Sequence, residues 1–502
     1  MTKWFSSAWN DIKTEVLSFV RQNDFWKKLL FIYSVYFVGF LSLIQANYLY
    51  KTDLSRVGEQ APYNVANWGH SGRWLNDLFT LIFHFDTYPR DISPLSQLLA
   101  IFVLSIASMI LVRVVCKKTT YMKLLVSSVI GLCPYYLQVF SYVFDCLFYS
   151  IGVFTAIAPF LFYKRDKAFY VTSAVGLTCC YLIFQSTISI YMVIVTYLFW
   201  ADYQNSDVLF KDLVKKVFLT VVVFFVVSLG YYVLVQSAFS PNVPARRQSA
   251  LCEWANCWSV FSSNFHRAIT ERLYGPWVET PMGYAFGAVL LAFLIYQIKS
   301  ALSNKRTYPK IVHVVVALGA FSLMLLFILL WTMFFTFMYW NARIWIAVGP
   351  CFAVMMLAMF NEQNVKLRKV FVVVSVILTW GCVVFANVVG NLIEIQKRYE
   401  SFVLFGLAQD LSQFPDKEFT FNHRTIQSPV VKKRGERYPI LRDLATGMQT
   451  KYRRFRDYVI GFYRPELVMC KNKKRSMDKE VFKREEYTFV QINDTCIEVR
   501  FK

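Results

Sequence analysis

Long apolar runs alternate with short polar connections over most of the chain. They lie near 29–48, 94–114, 122–140, 146–163, 168–184, 187–203, 215–238, 282–299, 310–335, 343–360 and 369–391. Runs of ~17–25 apolar residues are long enough, as helices, to cross ~30 Å of hydrocarbon. The pattern therefore predicts about eleven spanning helices. The fifth and sixth meet at a tight turn near Gln185 and Ser186, so a broken or re-entrant helix is the alternative there. Ahead of the first run, residues 1–28 are polar and basic. Phe5, Trp9, Ile12, Val16 and Val20 recur in them at three- and four-residue steps. One apolar face on such a helix suits it to lie in a membrane interface. No small-residue cleavage motif follows the first run, which reads as a retained anchor and not a signal peptide.

Past residue 392 the pattern changes. A helical stretch through Leu411 is followed by Phe419–Asn422 and Tyr487–Ile492, which alternate like strands. The expected fold class is thus a polytopic α-helical membrane protein with a C-terminal α/β domain. Its parts are an N-terminal helix over 1–28, a membrane domain over 29–392 with long connections 49–93 and 239–281, and a C-terminal domain over 393–502.

Composition agrees and adds an orientation. Of 502 residues 56% are hydrophobic and only 17% charged, with a mean hydropathy of +0.40, where soluble chains are usually ~25% charged. Lys and Arg gather in alternate connections: Arg113 to Lys123, Lys164 to Lys167, Lys211 to Lys216, Lys299 to Lys310 and Lys366 to Lys369. The short connections between them are nearly bare. Basic loops stay cytoplasmic, so the N-terminus is expected inside, and 49–93, 239–281 and the C-terminal domain outside. The net charge of +22 needs no nucleic acid to explain it. The C-terminal domain keeps an excess of about +8, roughly 23 Lys and Arg against 15 acids, which suits anionic lipid headgroups or polysaccharide. Cys252 and Cys257 fall in one outer connection, and Cys470 and Cys496 in the outer domain. Two disulfides, 252–257 and 470–496, are the simplest pairing in an oxidising compartment, although spacing alone does not fix it.

Phosphate cradles of the GxGxxG and GxxxxGK[ST] types are missing, as are HExxH and GxSxG. No acidic cluster points to a metal, and no cofactor is expected. What remains is a set of polar groups at the expected outer ends of helices. Asp53 and Arg56 follow span one, Asp145 opens span four, Gln185 sits at an outward turn, and Asn341 and Arg343 precede span ten. The polar connection 48–94 adds His70, Arg73, Asp77, Asp86 and Asp91, with Arg73 able to pair with Asp77 four residues on. An acid that accepts a proton, with arginines that hold a phosphate, is the minimum set for glycosyl transfer from a lipid phosphate. Trp68, Trp74, Trp254, Trp258 and Trp277 could stack on sugars or simply form the interfacial aromatic belt.

The segments TDLSRVG, NWGHSGRWLNDL and DISPLSQLLAI resemble the first outer loop of the GtrII-like, serotype-converting O-antigen glucosyltransferases. SYVFDCLFYSIG resembles that family's later Tyr-x-x-Asp segment. Family members often carry paired acids near Thr52–Asp53, where this chain has Asp53 alone. The resemblance implies a GT-C-type membrane enzyme of the bacterial inner membrane. Such an enzyme takes glucose from undecaprenyl phosphate glucose on the periplasmic side and places it on a lipid-linked O-antigen sugar. A donor flippase and a donor synthase are the implied companions. Asp53 would be the general base or an essential acid, and Arg56 and Arg73 would contact phosphate or sugar. Asp145 and Arg343 are secondary candidates from the expected topology alone, and Trp68 is a further candidate for substrate binding. The rival reading is a flippase or transporter of a lipid-linked sugar, which would need a polar path that the nearly uncharged spans do not offer.

Overall fold

A computed structural model describes residues 2–50, 53, 68, 72–116, 118–233, 252–336, 340–450, 455, 467–471 and 474–502. Arg56 and His70 lie outside these. The chain opens with α1 (Thr2–Val20), α2 (Phe25–Ala46), α3 (Trp74–His84) and α4 (Leu95–Val115). Three short helices follow: α5 (Tyr121–Ser127), α6 (Val129–Leu132) and α7 (Pro134–Phe140). Then come α8 (Cys146–Ile157), α9 (Asp166–Ile183), α10 (Ile188–Gln204), α11 (Phe210–Tyr231) and α12 (Cys257–Arg267). The membrane part closes with α13 (Pro281–Leu302), α14 (Lys310–Met333), α15 (Val348–Met359) and α16 (Val365–Leu411).

Each expected span is thus helical for most of its length, but not all have the dimensions of a complete crossing. Among the described residues seven helices are long and apolar enough to cross a membrane, or eight if one bent pair is a single span. That pair is Tyr121–Leu132 with Pro134–Phe140, bent by 64°. The break falls here and not at Gln185 alone, because Pro134 lacks an N–H and cannot continue the preceding helix. Helix α15 is buried along its whole length from Val348 to Met359. Helix α11 fully buries only Leu213 and Thr220; Val223, Phe224 and Val227 pack against the core, while Phe218, Phe225, Val226 and Leu229 are exposed, as on a lipid-facing helix. Gly390 lets α16 cross α2 closely, since a Cβ there would stand 2.6 Å from Ser42.

The two ends of the bundle differ in chemistry. At one end the basic connections knit together: Asn361 donates to Val115 O (3.0 Å), Lys216 to Tyr163 O (2.7 Å), and Arg306 to Tyr203 O (2.8 Å) and Asn205 O (2.9 Å). Helix α1 joins this end, with Glu15 3.5 Å from Arg113 and 3.6 Å from Arg165. Its Trp9, Val16 and Val20 stay exposed, leaving the apolar stripe free for an interface. At the opposite end gather Asp53, the 141–145 turn, Gln185 and Arg343.

Helix α16 runs unbroken for 47 residues, well beyond its apolar stretch 369–391, and carries the chain into a second hydrophobic cluster. Four strands, β1 (Glu418–Phe421), β4 (Lys479–Lys483), β5 (Tyr487–Gln491) and β6 (Cys496–Phe501), pair in the order β1-β6-β5-β4, with β1 parallel to β6 and the others antiparallel. The pair β2 (Thr425–Ile426) and β3 (Met448–Gln449) stands apart, with α17 (Pro429–Arg437) and α18 (Ile440–Leu444) between them in sequence. Phe419, Phe489, Ile497 and Val499 pack from the sheet against Leu404 and Leu407 of α16. The disulfides are Cys252–Cys257 and Cys470–Cys496, as the simplest pairing has it.

Candidate active site

Asp53 is fully buried at the end of the bundle opposite the basic loops. Its Oδ2 accepts the backbone N–H of Val143 at 3.0 Å, which fixes the carboxylate against the turn between α7 and α8. Two residues on in that turn, Asp145 is 3% exposed and precedes the first turn of α8. A carboxylate before a helix N-terminus is favoured by the helix dipole. The turn is closed by hydrogen bonds from Asp145 N (3.2 Å) and Cys146 N (2.9 Å) to Tyr142 O. Cys146 lies within electrostatic reach of both acids, so the two carboxylates share one neighbourhood although 92 positions separate them.

Arg343 enters from the short turn before α15. Its guanidinium carbon sits 4.9 Å from the centre of the Tyr142 ring. Asp145, Tyr142, Tyr149 and Tyr50 all lie within its electrostatic reach. Among the described residues Arg343 makes no ion pair, so its charge is placed by an aromatic face and not cancelled by a carboxylate. Its backbone N–H donates to Gln138 Oε1 at 2.8 Å. Gln138 Nε2 donates to Tyr50 O–H (3.3 Å) and to Asp443 O (3.3 Å), and Tyr50 O–H donates to Asp443 O (2.5 Å). Tyr50 meets Tyr142 edge to face at 4.9 Å. A continuous polar frame therefore runs from the C-terminal unit, through the residue that follows span one, to the arginine.

Arg73 lies in a neighbouring group. Its Nε donates to Gln185 Oε1 (3.3 Å), its guanidinium stands 5.2 Å from the Phe184 ring, and Gln185 Nε2 donates to Tyr231 O–H (2.9 Å). The pairing of Arg73 with Asp77 does not form. Asp77 Oδ1 accepts from Trp68 N at 2.9 Å instead. Trp68 itself is 8% exposed and packs edge to face on Phe148 at 5.8 Å. Trp277 is likewise buried, donating from Nε1 to Tyr135 O–H at 2.9 Å, whereas Trp254 and Trp258 are exposed. Asp86 and Asp91 accept from backbone N–H groups two residues on, Tyr88 (3.2 Å) and Ser93 (2.9 Å), as loop residues do. Arg56 and His70 fall among residues the structure does not describe. Among the described residues no three or more His, Cys, Asp or Glu side chains are grouped as metal ligands.

Three contributors were not singled out from sequence: Gln138, Tyr50 and Asp443. Tyr142 stood in the Tyr-x-x-Asp segment, and its ring carries Arg343. For the others the available signal was slight. Gln138 is a polar residue inside an apolar run, and such residues face the bundle interior and are commonly functional.

The fold and this site define a class. The chain is a polytopic membrane protein that gathers buried acids, an arginine without an ion-pair partner among the described residues and a tyrosine frame at one end of its helices. The family model for glucosyl transferase GtrII matches residues 41–357, which include Asp53, Asp145 and Arg343. The chain belongs to this family and is a membrane glycosyltransferase. No curated protein and no solved structure matches it.

Proposed function

We propose that the chain moves glucose from undecaprenyl phosphate glucose to a lipid-linked O-antigen sugar on the periplasmic face of the inner membrane. The observation that carries this reading is the convergence of Asp53, Asp145 and Arg343 at the bundle end opposite the basic loops. By the positive-inside rule that end is periplasmic. The two disulfides, one near this end and one in the C-terminal unit, favour the same side. Eleven spans, with the short helices α5–α10 completing the count, then leave residues 393–502 outside.

In this reading Asp53 is the general base. It takes the proton of the acceptor hydroxyl as that oxygen attacks C1 of the donor glucose. The C1–O bond to phosphate breaks, and the electron pair leaves with undecaprenyl phosphate. Arg343 faces that growing negative charge, and its placement on the Tyr142 ring, with no ion pair among the described residues, keeps the guanidinium available for it. Arg73 and Arg56 hold the donor phosphate. Asp145 keeps Arg343 in place and is the base if Asp53 is not. The donor's synthesis and its delivery across the membrane fall to a cytoplasmic-facing synthase and a flippase.

The test uses purified protein in nanodiscs, where no second compartment exists. Transfer of radiolabelled glucose from the donor to a lipid-linked O-antigen acceptor is the expected result. Absence of transfer, with donor movement between leaflets in proteoliposomes, would support the flippase reading instead.

A further inference from the structure

A cavity of about 240 Å³ opens where the segment 271–276, the α7 helix and α18 of the C-terminal unit meet. Tyr135, Glu271, Arg272, Trp345, Arg442 and Asp443 line it. None of the proposed base or phosphate-binding residues does, although the lining residue Ala342 adjoins Arg343. Trp345 is wholly buried, and its Nε1–H has no hydrogen-bond partner among the described residues. Arg272 Nε is also buried without one. An indole N–H and a guanidinium N–H are donors only. A buried donor left unsatisfied is costly, so two of them on residues that line one cavity mark a place for acceptor oxygens.

The charge of the wall narrows the ligand. Arg272 and Arg442 stand against Glu271 and Asp443, and Arg272 is ion-paired with Asp443. A wall so balanced gives an anion no net attraction, unlike Arg343, which makes no ion pair among the described residues. Two aromatic residues, Tyr135 and Trp345, complete it with Pro276 and Pro439. Apolar faces combined with both donors and carboxylates suit a neutral ring bearing hydroxyl groups.

We infer that this cavity binds a pyranose of the acceptor glycan, next to the sugar that receives glucose. The inference rests on the transferase reading and deepens it. The cavity touches the catalytic neighbourhood through Ala342 and through Asp443, whose carbonyl accepts from Tyr50 and Gln138. Arg442 and Asp443 belong to the C-terminal unit, so that unit reads the acceptor and thereby sets which glycan is modified.

The test compares the parent with Arg442→Ala, an exposed rim residue, and Trp345→Phe, which keeps an aromatic ring and removes the indole N–H. The full chain in nanodiscs receives undecaprenyl phosphate glucose and lipid-linked O-antigen repeat units from the native strain. Acceptor binding is also measured alone by thermophoresis. The expected result is a rise of about tenfold in acceptor KM and Kd for each variant, with donor KM and Tm unchanged. A parental acceptor KM and Kd in both variants, with transfer intact, would overturn the cavity assignment and leave the transferase reading standing. A rise in donor KM alone would overturn it too, assigning the cavity to phosphate. Acceptor binding that weakens in the variants of a protein that transfers nothing would keep the cavity and sink the transferase reading.

Discussion

Among the described residues, two sets that bring a buried carboxylate and an arginine together are built to opposite ends. In the C-terminal unit, Asp410 accepts from Arg484 Nε (2.6 Å) and Nη2 (2.9 Å) and from Tyr487 O–H (2.6 Å). Every partner there is aimed at the carboxylate and the charge is neutralised on the spot, which is how a buried ion is kept stable. In the membrane domain, Asp53 and Asp145 are held by backbone and by the turn around Tyr142, while Arg343 is placed by an aromatic ring and makes no ion pair among the described residues. A closed set fastens a helix to a sheet. An arginine held on a ring keeps its charge ready for a ligand and costs stability to do so, as functional sites commonly do.

A further buried acid sharpens the contrast. Glu400, on α16 beyond its apolar stretch, accepts from Tyr48 O–H (3.0 Å), Gln396 Nε2 (2.7 Å) and Met448 N (2.7 Å), all neutral donors. Burial without a cation pushes its carboxyl up to about 7, against 4.5 for an ordinary Glu. Neutral donors satisfy hydrogen bonds but do not offset the loss of water around a charge.

The largest effect that separates the open from the closed set should come from Arg343→Ala. We expect kcat to fall by about 10²–10³, with Tm shifted little, because the lost charge acts on the transition state. A collapse of Tm with kcat per folded molecule preserved would make Arg343 a structural residue like Arg484. Next in size is the pH dependence from Glu400. Its raised folded-state value means that its contribution is full below about 4.5 and is lost as pH rises through about 7. Thermal unfolding of Glu400→Gln should therefore be flatter over that window, by a few kcal/mol across it. An unchanged slope would remove Glu400 as its source. Asp410→Ala should cost about 1–3 kcal/mol of stability by orphaning Tyr487 and Arg484, while donor and acceptor KM stay put. Loss of transfer at full stability would contradict its closed, structural part. The smallest expected change is in Gln185→Leu, which frees Arg73 from one neutral hydrogen bond. Donor KM should rise about three- to tenfold, since such a bond is worth about 0.5–1.5 kcal/mol.

Much of this architecture is legible in the sequence, and the parts that are not share a cause. Apolar runs located the helices because burial in lipid demands length and composition that few other structures need. The alternation of basic and bare connections matched the two ends of the bundle, where Arg306, Lys216 and Asn361 meet at one and Asp53, Gln185 and Arg343 at the other. The strands at Phe419 and Tyr487 followed from alternation. What periodicity does not carry is which residues meet at helix ends. Gln138 reaches Arg343 across 205 positions, and Tyr50 reaches Asp443 across 393. The bend at Pro134 lay inside an apolar run that reads as continuous, and the buried pose of Trp68 depends on Phe148, eighty positions away. Helix α16 continues past its apolar stretch because Leu404 and Leu407 find a sheet to pack on, which only the folded C-terminal unit supplies.

The most direct test of the central claim compares Asp53→Asn and Asp145→Asn with the parent in glucose transfer from undecaprenyl phosphate glucose to a lipid-linked O-antigen acceptor, with folding checked by Tm. The account expects Asp53→Asn to lose transfer by about 10²–10⁴, the span of general-base catalysis, while Asp145→Asn keeps a measurable fraction. Parental transfer by a well-folded Asp53→Asn, with transfer lost in Asp145→Asn, would contradict it and move the base to the turn before α8.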